Sequence, residues 1–360
     1  MELLKKYERH LSGVAFTVGF VLDYIFAPEI DNPFTPLILG GYLLLAAVTI
    51  LAEQVFWRVK IQHSSWLRWG SVIPTLTQLV FGALMSMLFV YYSRSAALEG
   101  SWPFMLLLGG MFIGNELFRD RVRLFKFQLA TFFFVFFMAM VLCVPIALRE
   151  VGTIPFLIAG ALALLGTLFF IGSIFALSRK IVRENALGIL GMVGGMYALI
   201  NVLYFTHVIP PIPLLLRDSG VYHSVVRDAA GNYIGSGEKT LWGERFGVLG
   251  LQQKVLHLTA GEPAYFYSAV FAPIAIRTPI VHEWQYKDAA TGEWNTVHRV
   301  SFPIIGGRDG GYRGYSIKES VPQGEWRVSI ETASGELLGR ETFRVVLSEN
   351  SAFLEKTLLK

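Results

Sequence analysis

A membrane bundle of about seven transmembrane helices followed by a soluble, all-β sandwich of immunoglobulin-like type is the fold class this sequence predicts, and three observations predict it. Only 16% of the 360 residues are charged and 53% are hydrophobic, with a mean hydropathy of +0.50; a water-soluble chain carries charge on about a quarter of its residues. Apolar stretches of about 20 residues, the length that crosses ~30 Å of hydrocarbon, recur up to Ile209 and then stop. From Gly220 onward the texture changes to short β-branched and aromatic runs separated by turn clusters such as Asp228–Asn232 and Asp288–Gly292, the pattern of a sandwich.

The apolar stretches are Leu11–Phe26, Thr35–Phe56, Val72–Tyr92, Trp102–Phe118, Phe127–Ala147, Ile154–Leu177 and Ala186–Ile209. The first and fourth are the weakest, being short or interrupted by Asp23 in one and by Asn115 with Glu116 in the other. Short loops rich in Lys and Arg stay on the cytoplasmic side. The amino-terminal segment has Lys5, Lys6 and Arg9; the second loop has Arg58, Lys60 and Arg68; the fourth has Arg119, Arg121, Arg123 and Lys126; the sixth has Arg179, Lys180 and Arg183. The first, third and fifth loops offer only Arg94 and Arg149. This unbroken alternation places the amino terminus in the cytoplasm and the carboxyl-terminal domain outside. Asp23 also breaks the apolar core that a cleaved signal peptide requires.

Charge excludes one class of partner. Residues 1–216 hold 15 Lys and Arg against 11 Asp and Glu, and the remainder holds 16 of each. The net charge of +4 therefore belongs to the membrane half, and no basic domain for nucleic acid exists. The one cysteine, Cys143, lies in an apolar run, which excludes an intramolecular disulfide and a cysteine-based zinc site.

Ionisable groups at membrane depth are costly and are default functional candidates. They are Asp23, Glu53, Glu116 and His207. Glu53 and Glu116 fall near cytoplasmic helix ends, where Arg58 and Arg119 are expected to pair with them. Asp23 and His207 fall near outer ends, either meeting each other or each reaching headgroup water. Gly191 with Gly195, and Gly194 with Ala198, form small-xxx-small pairs, read first as packing within the bundle and second as a homo-oligomer contact.

Pro210, Pro211 and Pro213 end the last helix and impose an extended connection, bringing the next domain near the bilayer with Leu214, Leu215 and Leu216 at its interface. The limits that follow are a helical domain over 1–209, a Pro-rich linker over 210–219, a β-sandwich over 220–348 and a tail over 349–360. Strands are predicted at Val221–Arg227, Val255–Thr259, Ala264–Ala272, Val281–Lys287, Thr296–Ile304, Tyr312–Lys318, Trp326–Thr332 and Leu338–Val346. Residues 231–240 resemble a phosphate loop, but Glu238 stands where the glycine before Lys239 is needed; a turn with a flexible tip is the reading.

Period two sets Ile280, His282, Trp284 and Tyr286 on one face, and Trp326, Val328 and Ile330 on another. Both tryptophans are thus expected as packing anchors ahead of ligand platforms. His282 and His298 fall on apolar faces of adjacent strands. Two neutral, hydrogen-bonded histidines are expected before a metal pair, because alternation brings no carboxylate to that face. No nucleophile elbow, His-Glu-x-x-His pair or paired-carboxylate signature occurs, so no catalytic, cofactor or metal residue is assigned. The nominated partner-binding residues are Arg308, Tyr312 and Arg313, in the Gly-rich connection Gly306–Gly314, since loops on a rigid sandwich carry function and Arg with Tyr is the composition of interface hot spots.

His282-Glu-Trp284, Gly306-Gly307 followed by Tyr312 and Tyr315, Pro322-Gln-Gly-Glu-Trp-Arg-Val328, Gly335-x-Leu-Leu338 and Phe343-x-Val345 together resemble the bacterial family called domain of unknown function 2914. The resemblance covers roughly residues 280 to 346; it departs at Tyr312, where the family pattern has a tryptophan, and in extra turn residues after Lys287. It implies a bacterial envelope protein of unassigned activity, and no catalytic residue carries over from it. The expected function is an inner-membrane scaffold or accessory protein whose outward domain binds an envelope protein or glycan. The alternative is a membrane enzyme or transporter acting on a lipid-linked or small substrate inside the bundle, with Asp23, Glu116 or His207 as its polar residues. A sensor is a weaker third class, because the cytoplasmic loops are too short to form an output domain.

Overall fold

The computed structural model describes residues 20–21, 24–25, 32, 34–58, 69–95, 97–117, 124–238, 254–273, 276–306, 311–348 and 354–359. Among the described residues six helices come first: α1 (Phe34–Arg58), α2 (Trp69–Ser95), α3 (Leu98–Leu117), α4 (Phe125–Leu148), α5 (Thr153–Leu177) and α6 (Arg179–Phe205). Residues 20, 21, 24 and 25, inside the first predicted span, are helical as well. Five of the six helices are long and apolar enough to cross a membrane. The exception is α3, whose 20 residues include Ser101, Pro103, Asn115 and Glu116.

The chain divides into two compact units. In the first, α4 is apolar on every side, and a helix of that kind is a buried one: Phe132, Phe133, Phe134 and Phe137 are among its buried residues. Phe137 stacks on Tyr197 of α6 at 5.8 Å and lies 5.6 Å from Phe156 of α5. Close approach of helices occurs at Gly160 and Gly166 of α5, where an added Cβ would sit 3.0 Å from the Phe137 ring and 2.4 Å from that of Phe136. At Gly191, Gly194 and Gly195 no described residue lies within 4 Å of an added Cβ, so a packing partner for these small residues is not found among the described residues.

The basic cluster Arg179, Lys180 and Arg183, expected in a loop, forms the start of α6. Only Ser178 separates it from α5, and the Arg179 and Arg183 guanidinium groups lie 5.8 and 5.9 Å from the Phe175 ring. The helix stops at Phe205, short of the predicted Ile209. There the Thr206 hydroxyl donates to Val202 O at 2.7 Å, and His207 adopts a φ of 57°, the left-handed turn that closes helices.

The second unit comprises Ile209–Lys360 together with two short segments, Ser95–Ser101 and Arg149–Thr153. Its strands are β1 (Leu215–Tyr222), β2 (Ser224–Arg227), β3 (Tyr233–Glu238), β4 (Lys254–Leu258), β5 (Ala264–Phe271), β6 (Arg277–Lys287), β7 (Trp294–Ile305), β8 (Tyr312–Lys318), β9 (Gly324–Thr332), β10 (Leu337–Leu347) and β11 (Leu354–Leu359). They form three sheets, β1-β5-β8, β4-β10-β9-β6-β7 and β11-β3-β2. All pairs are antiparallel except β4 with β10.

The first two sheets close on one core. Trp284, Trp326, Val328, Ile330, Phe343 and Val345 enter it from the five-stranded sheet, and Val221, Phe266 and Val270 from the three-stranded one. The two short segments join this unit through definite contacts. Ser95 Oγ donates to Leu214 O, Arg277 N–H donates to Arg149 O at 3.4 Å, and Val151 packs on the core. Leu214 lies in the β core, Leu216 packs against it and Leu215 is buried as well.

Three strand predictions change. The strand expected at Val221–Arg227 breaks at His223, whose side chain is drawn inward by carboxylates. β1 begins inside the predicted linker. β3 and β11 stand where a turn and a tail are predicted; β3 contains two glycines, which disfavour a strand in isolation. Here they serve a close approach: an added Cβ at Gly235 or Gly237 would lie 2.8 or 3.1 Å from Cδ1 of Tyr222.

Candidate functional site

Alternation along β1, β5 and β8 sends one set of residues to the core and the other to the outer face of their sheet. The outward set includes Tyr222, Tyr265, Tyr267, Ala269, Arg313, Tyr315 and Ile317. Register places Tyr222 across from Tyr265, and then Tyr265 across from Ile317, Tyr267 from Tyr315 and Ala269 from Arg313. The third sheet covers part of this face, with Val225 and Leu359 packed against Tyr267 and Ala269. Tyr233 brings its ring to 5.9 Å from Tyr267 and 6.1 Å from Tyr315, and Tyr265 lies 6.1 Å from Tyr315.

The edge of this tyrosine cluster stays open. Tyr315 is 39% and Ile317 38% exposed, with Tyr233 and Tyr265 half-buried. The Arg227 guanidinium sits 5.9 Å from the centre of the Tyr233 ring. Burial raises the Tyr267 phenol far above its usual range, with Arg313 opposing the shift. Neither Arg227 nor Arg313 has an ion-pair partner among the described residues. The outer face of the five-stranded sheet differs: Lys287 pairs with Glu325 at 2.7 Å, and Arg299 lies 3.8 Å from Glu283 and 3.9 Å from Glu331.

The nominated trio is divided by the fold. Arg313 lies on the tyrosine face, Tyr312 packs against the core from the opposite side of β8, and Arg308 lies outside the described residues. Tyr315 and Tyr265 were missed, although the sequence Arg313-Gly-Tyr315-Ser-Ile317 carries the alternation that would have found the first. Tyr233 belongs to β3, a strand that sequence reasoning did not anticipate.

A second cluster joins the third sheet to β4. His223 Nδ1 lies 2.7 Å from Glu262 Oε1 and its Nε2 3.2 Å from Glu238 Oε1, while His257 Nδ1 lies 2.8 Å from Glu238 Oε2. Both contacts of His223 are hydrogen bonds only when both ring nitrogens carry hydrogen. Burial opposes ionisation of Glu238, yet the His257 backbone N–H and the two imidazoles outweigh it and hold its carboxyl below the ordinary value. Glu262 is lowered in the same sense: burial again opposes, and the Thr259 N–H, His223 and the Thr259 hydroxyl prevail. Among the described residues no group of three or more His, Cys, Asp or Glu is arranged to hold a metal.

His282 is fully buried. Its ring bridges Ser268 Oγ at 2.8 Å and Ser316 Oγ at 2.9 Å, and burial lowers its pKa to about 3, so it is neutral. His298 is exposed and stands across from Trp284, beside a register shift. It keeps the alternation of Val300 and Phe302, and its exposure goes with its place on β7, the outer strand of the sheet.

Of the intramembrane candidates, Asp23 lies outside the described residues, as does the Glu116 side chain, so the expected pairing of Asp23 with His207 and that of Glu116 with Arg119 fall there too. His207 is exposed at the end of α6. Glu53 is buried and accepts a hydrogen bond from Gln128 Nε2 of α4 at 2.8 Å, an interhelical contact of ordinary type; the Arg58 side chain expected beside it lies outside the described residues. Gln78 and Asn115 exchange side-chain-to-carbonyl bonds between α2 and α3, both 3.1 Å.

Residues 277–345 match the family described as protein of unknown function (DUF2914). The match runs from the first residue of β6 into β10, the region on which the resemblance rests. No curated protein matches the chain. Among solved structures it is similar to Pseudomonas fluorescens alkylpurine DNA glycosylase AlkC bound to DNA containing an abasic site analog, at 11% identity over 89% of this chain and 100% of that one, with a TM-score of 0.23. A likeness at that score carries no argument about fold or function.

Proposed function

We propose that this chain is an inner-membrane protein of seven spans whose β unit lies on the outer side and binds an envelope partner through its tyrosine face. The observation that carries the reading is the half-open cluster of Tyr233, Tyr265 and Tyr315, flanked by two arginines without ion-pair partners among the described residues. Tyr and Arg are the residues that dominate interface energetics, and this face presents both on strands held rigid by their ladders. Topology is supported by two independent features. One is the alternation of basic loops. The other is the grouping of the third and fifth loops, the two that alternation places outside, with the β unit. The immunoglobulin-like reading draws support from the strand order, in which β4 and β10 run parallel while β10, β9, β6 and β7 follow in sequence, and from the buried Trp284 on the strand that corresponds to strand C.

Replacing Ile317 with a photo-crosslinking amino acid in living cells tests this reading. A discrete adduct is expected at that position and none at Val297, which is exposed on β7. No adduct at Ile317, or equal labelling at both sites, overturns it.

A further inference from the structure

Resting on that reading, we infer that the partner at the tyrosine face is an anionic glycan, bound by stacking on Tyr315 and Tyr265 and by Arg313 and Arg227 through its carboxylate or phosphate groups. The argument starts from what the face lacks. Its centre is β5, whose backbone is consumed on both sides by β1 and β8. An extended peptide that adds to a strand edge would use the outer side of β8, the last strand of this sheet, and not the tyrosine rings that stand over β5. A glycan has no backbone amides that require pairing; it needs flat apolar surface for the C–H face of a sugar ring and polar groups at the rim. Tyrosine supplies both, an apolar ring and a hydroxyl.

The phenol of Tyr267 is raised by burial and Tyr222 is raised to about 12, by burial first and by Asp218 and Glu341 next. These hydroxyls stay protonated and act as hydrogen-bond donors as well as acceptors. Charge selects among glycans. Guanidinium groups match carboxylate and phosphate with paired hydrogen bonds, and Arg227 and Arg313 have no carboxylate of their own among the described residues, whereas Lys287 and Arg299 on the other sheet do. Asp218 shares the face, in the row it forms with Ala269 and Arg313, and its charge raises the phenols of Tyr222 and Tyr267; Arg313 stands at the β8 side of that row, two residues from Tyr315.

The test uses the full chain in lipid nanodiscs and isothermal titration with four probes: hexagalacturonate, a glycerol-phosphate oligomer, maltohexaose and hexaglutamate. Binding of hexagalacturonate identifies carboxylate recognition, and binding of the glycerol-phosphate oligomer identifies phosphate recognition. Maltohexaose and hexaglutamate are expected to be silent. Tyr315→Ala and the double change Arg227→Gln with Arg313→Gln are each expected to weaken the bound probe by roughly tenfold or more, each removing about 1.4 kcal/mol or more of binding energy, at unaltered melting temperature. A binding loss accompanied by a lowered melting temperature is checked with Tyr315→Phe, which keeps the ring and must restore affinity. Silence of both anionic glycans, equal binding of hexaglutamate, or affinity indifferent to these variants overturns the proposal. If the glycans are silent while the crosslink at Ile317 persists, the glycan assignment fails and the binding face stands; if both are absent, both fail.

Discussion

Nδ1 of His282 lies 2.9 Å from the hydroxyl oxygen of Ser316, which also accepts the indole N–H of Trp284 at 2.9 Å. One hydroxyl thus serves two aromatic side chains at the centre of the β unit. Ser316→Ala would strand both buried groups, each at a cost of about 1–3 kcal/mol.

The same ring makes stability depend on pH. His282 titrates near 3 in the folded chain against an ordinary 6.5, so the unfolded chain takes up its proton first as pH falls. The stabilisation is complete above about pH 6.5 and is lost toward about pH 3, by up to ~1.4 kcal/mol per pH unit. Melting temperatures of the whole protein should fall between about pH 7 and pH 5, and the fall should be shallower in His282→Gln. Equal slopes would assign the effect to other groups.

Trp326 is 1% exposed, lies 6.5 Å from the Trp284 ring and 5.1 Å from Tyr286, and donates to Pro322 O at 2.9 Å. Trp326→Ala should cost about 3–5 kcal/mol, read as a loss of thermal stability in detergent. A loss below about 1 kcal/mol would place this indole outside the energetic core.

The carboxylates around His223 give a second, more acidic dependence. Glu238 and Glu262 both titrate below their ordinary 4.5 when folded. Their contribution is present above about pH 4.5 and lost as pH falls through the depressed folded values. Glu238→Gln should melt at a lower temperature near neutrality and show a weaker acid-induced decline below about pH 5. An unchanged acid profile would exclude this cluster as the clasp between β3 and β4.

Topology is open to direct measurement. An enzyme reporter active only outside the cytoplasm should function when fused after Lys360, and one active only inside should function after Arg123. A cytoplasmic reporter working at Lys360 would require an even number of crossings.

Much of this architecture is written in local sequence. Residues such as Trp284, Trp326, Val328 and Ile330 alternate strictly, and period two alone sends them to the core. What stayed hidden depends on contacts between distant segments. β3 has glycines where a strand in isolation would want branched side chains, and only the Tyr222 ring lying over them explains their use. The tyrosine face was half visible for the same reason: Arg313 is in the nominated loop, but Tyr233 and Tyr265 come from strands that meet β8 only after folding. His223 looked like one more strand residue because Glu238 and Glu262, 15 and 39 residues away, are what pull it inward. Spacing likewise reveals the small stripe at Gly191 and Gly195 but not what lies across from it.

The placement of β10 between β4 and β9 constrains how the protein is made. Synthesis delivers strands in order, and β4 and β9 both arrive before the strand that joins them. Until residue 347 has emerged, each presents an unpaired edge of the kind that recruits foreign strands. The five-stranded sheet therefore closes only once β10 is in place, and until then it is an open intermediate exposed to aggregation.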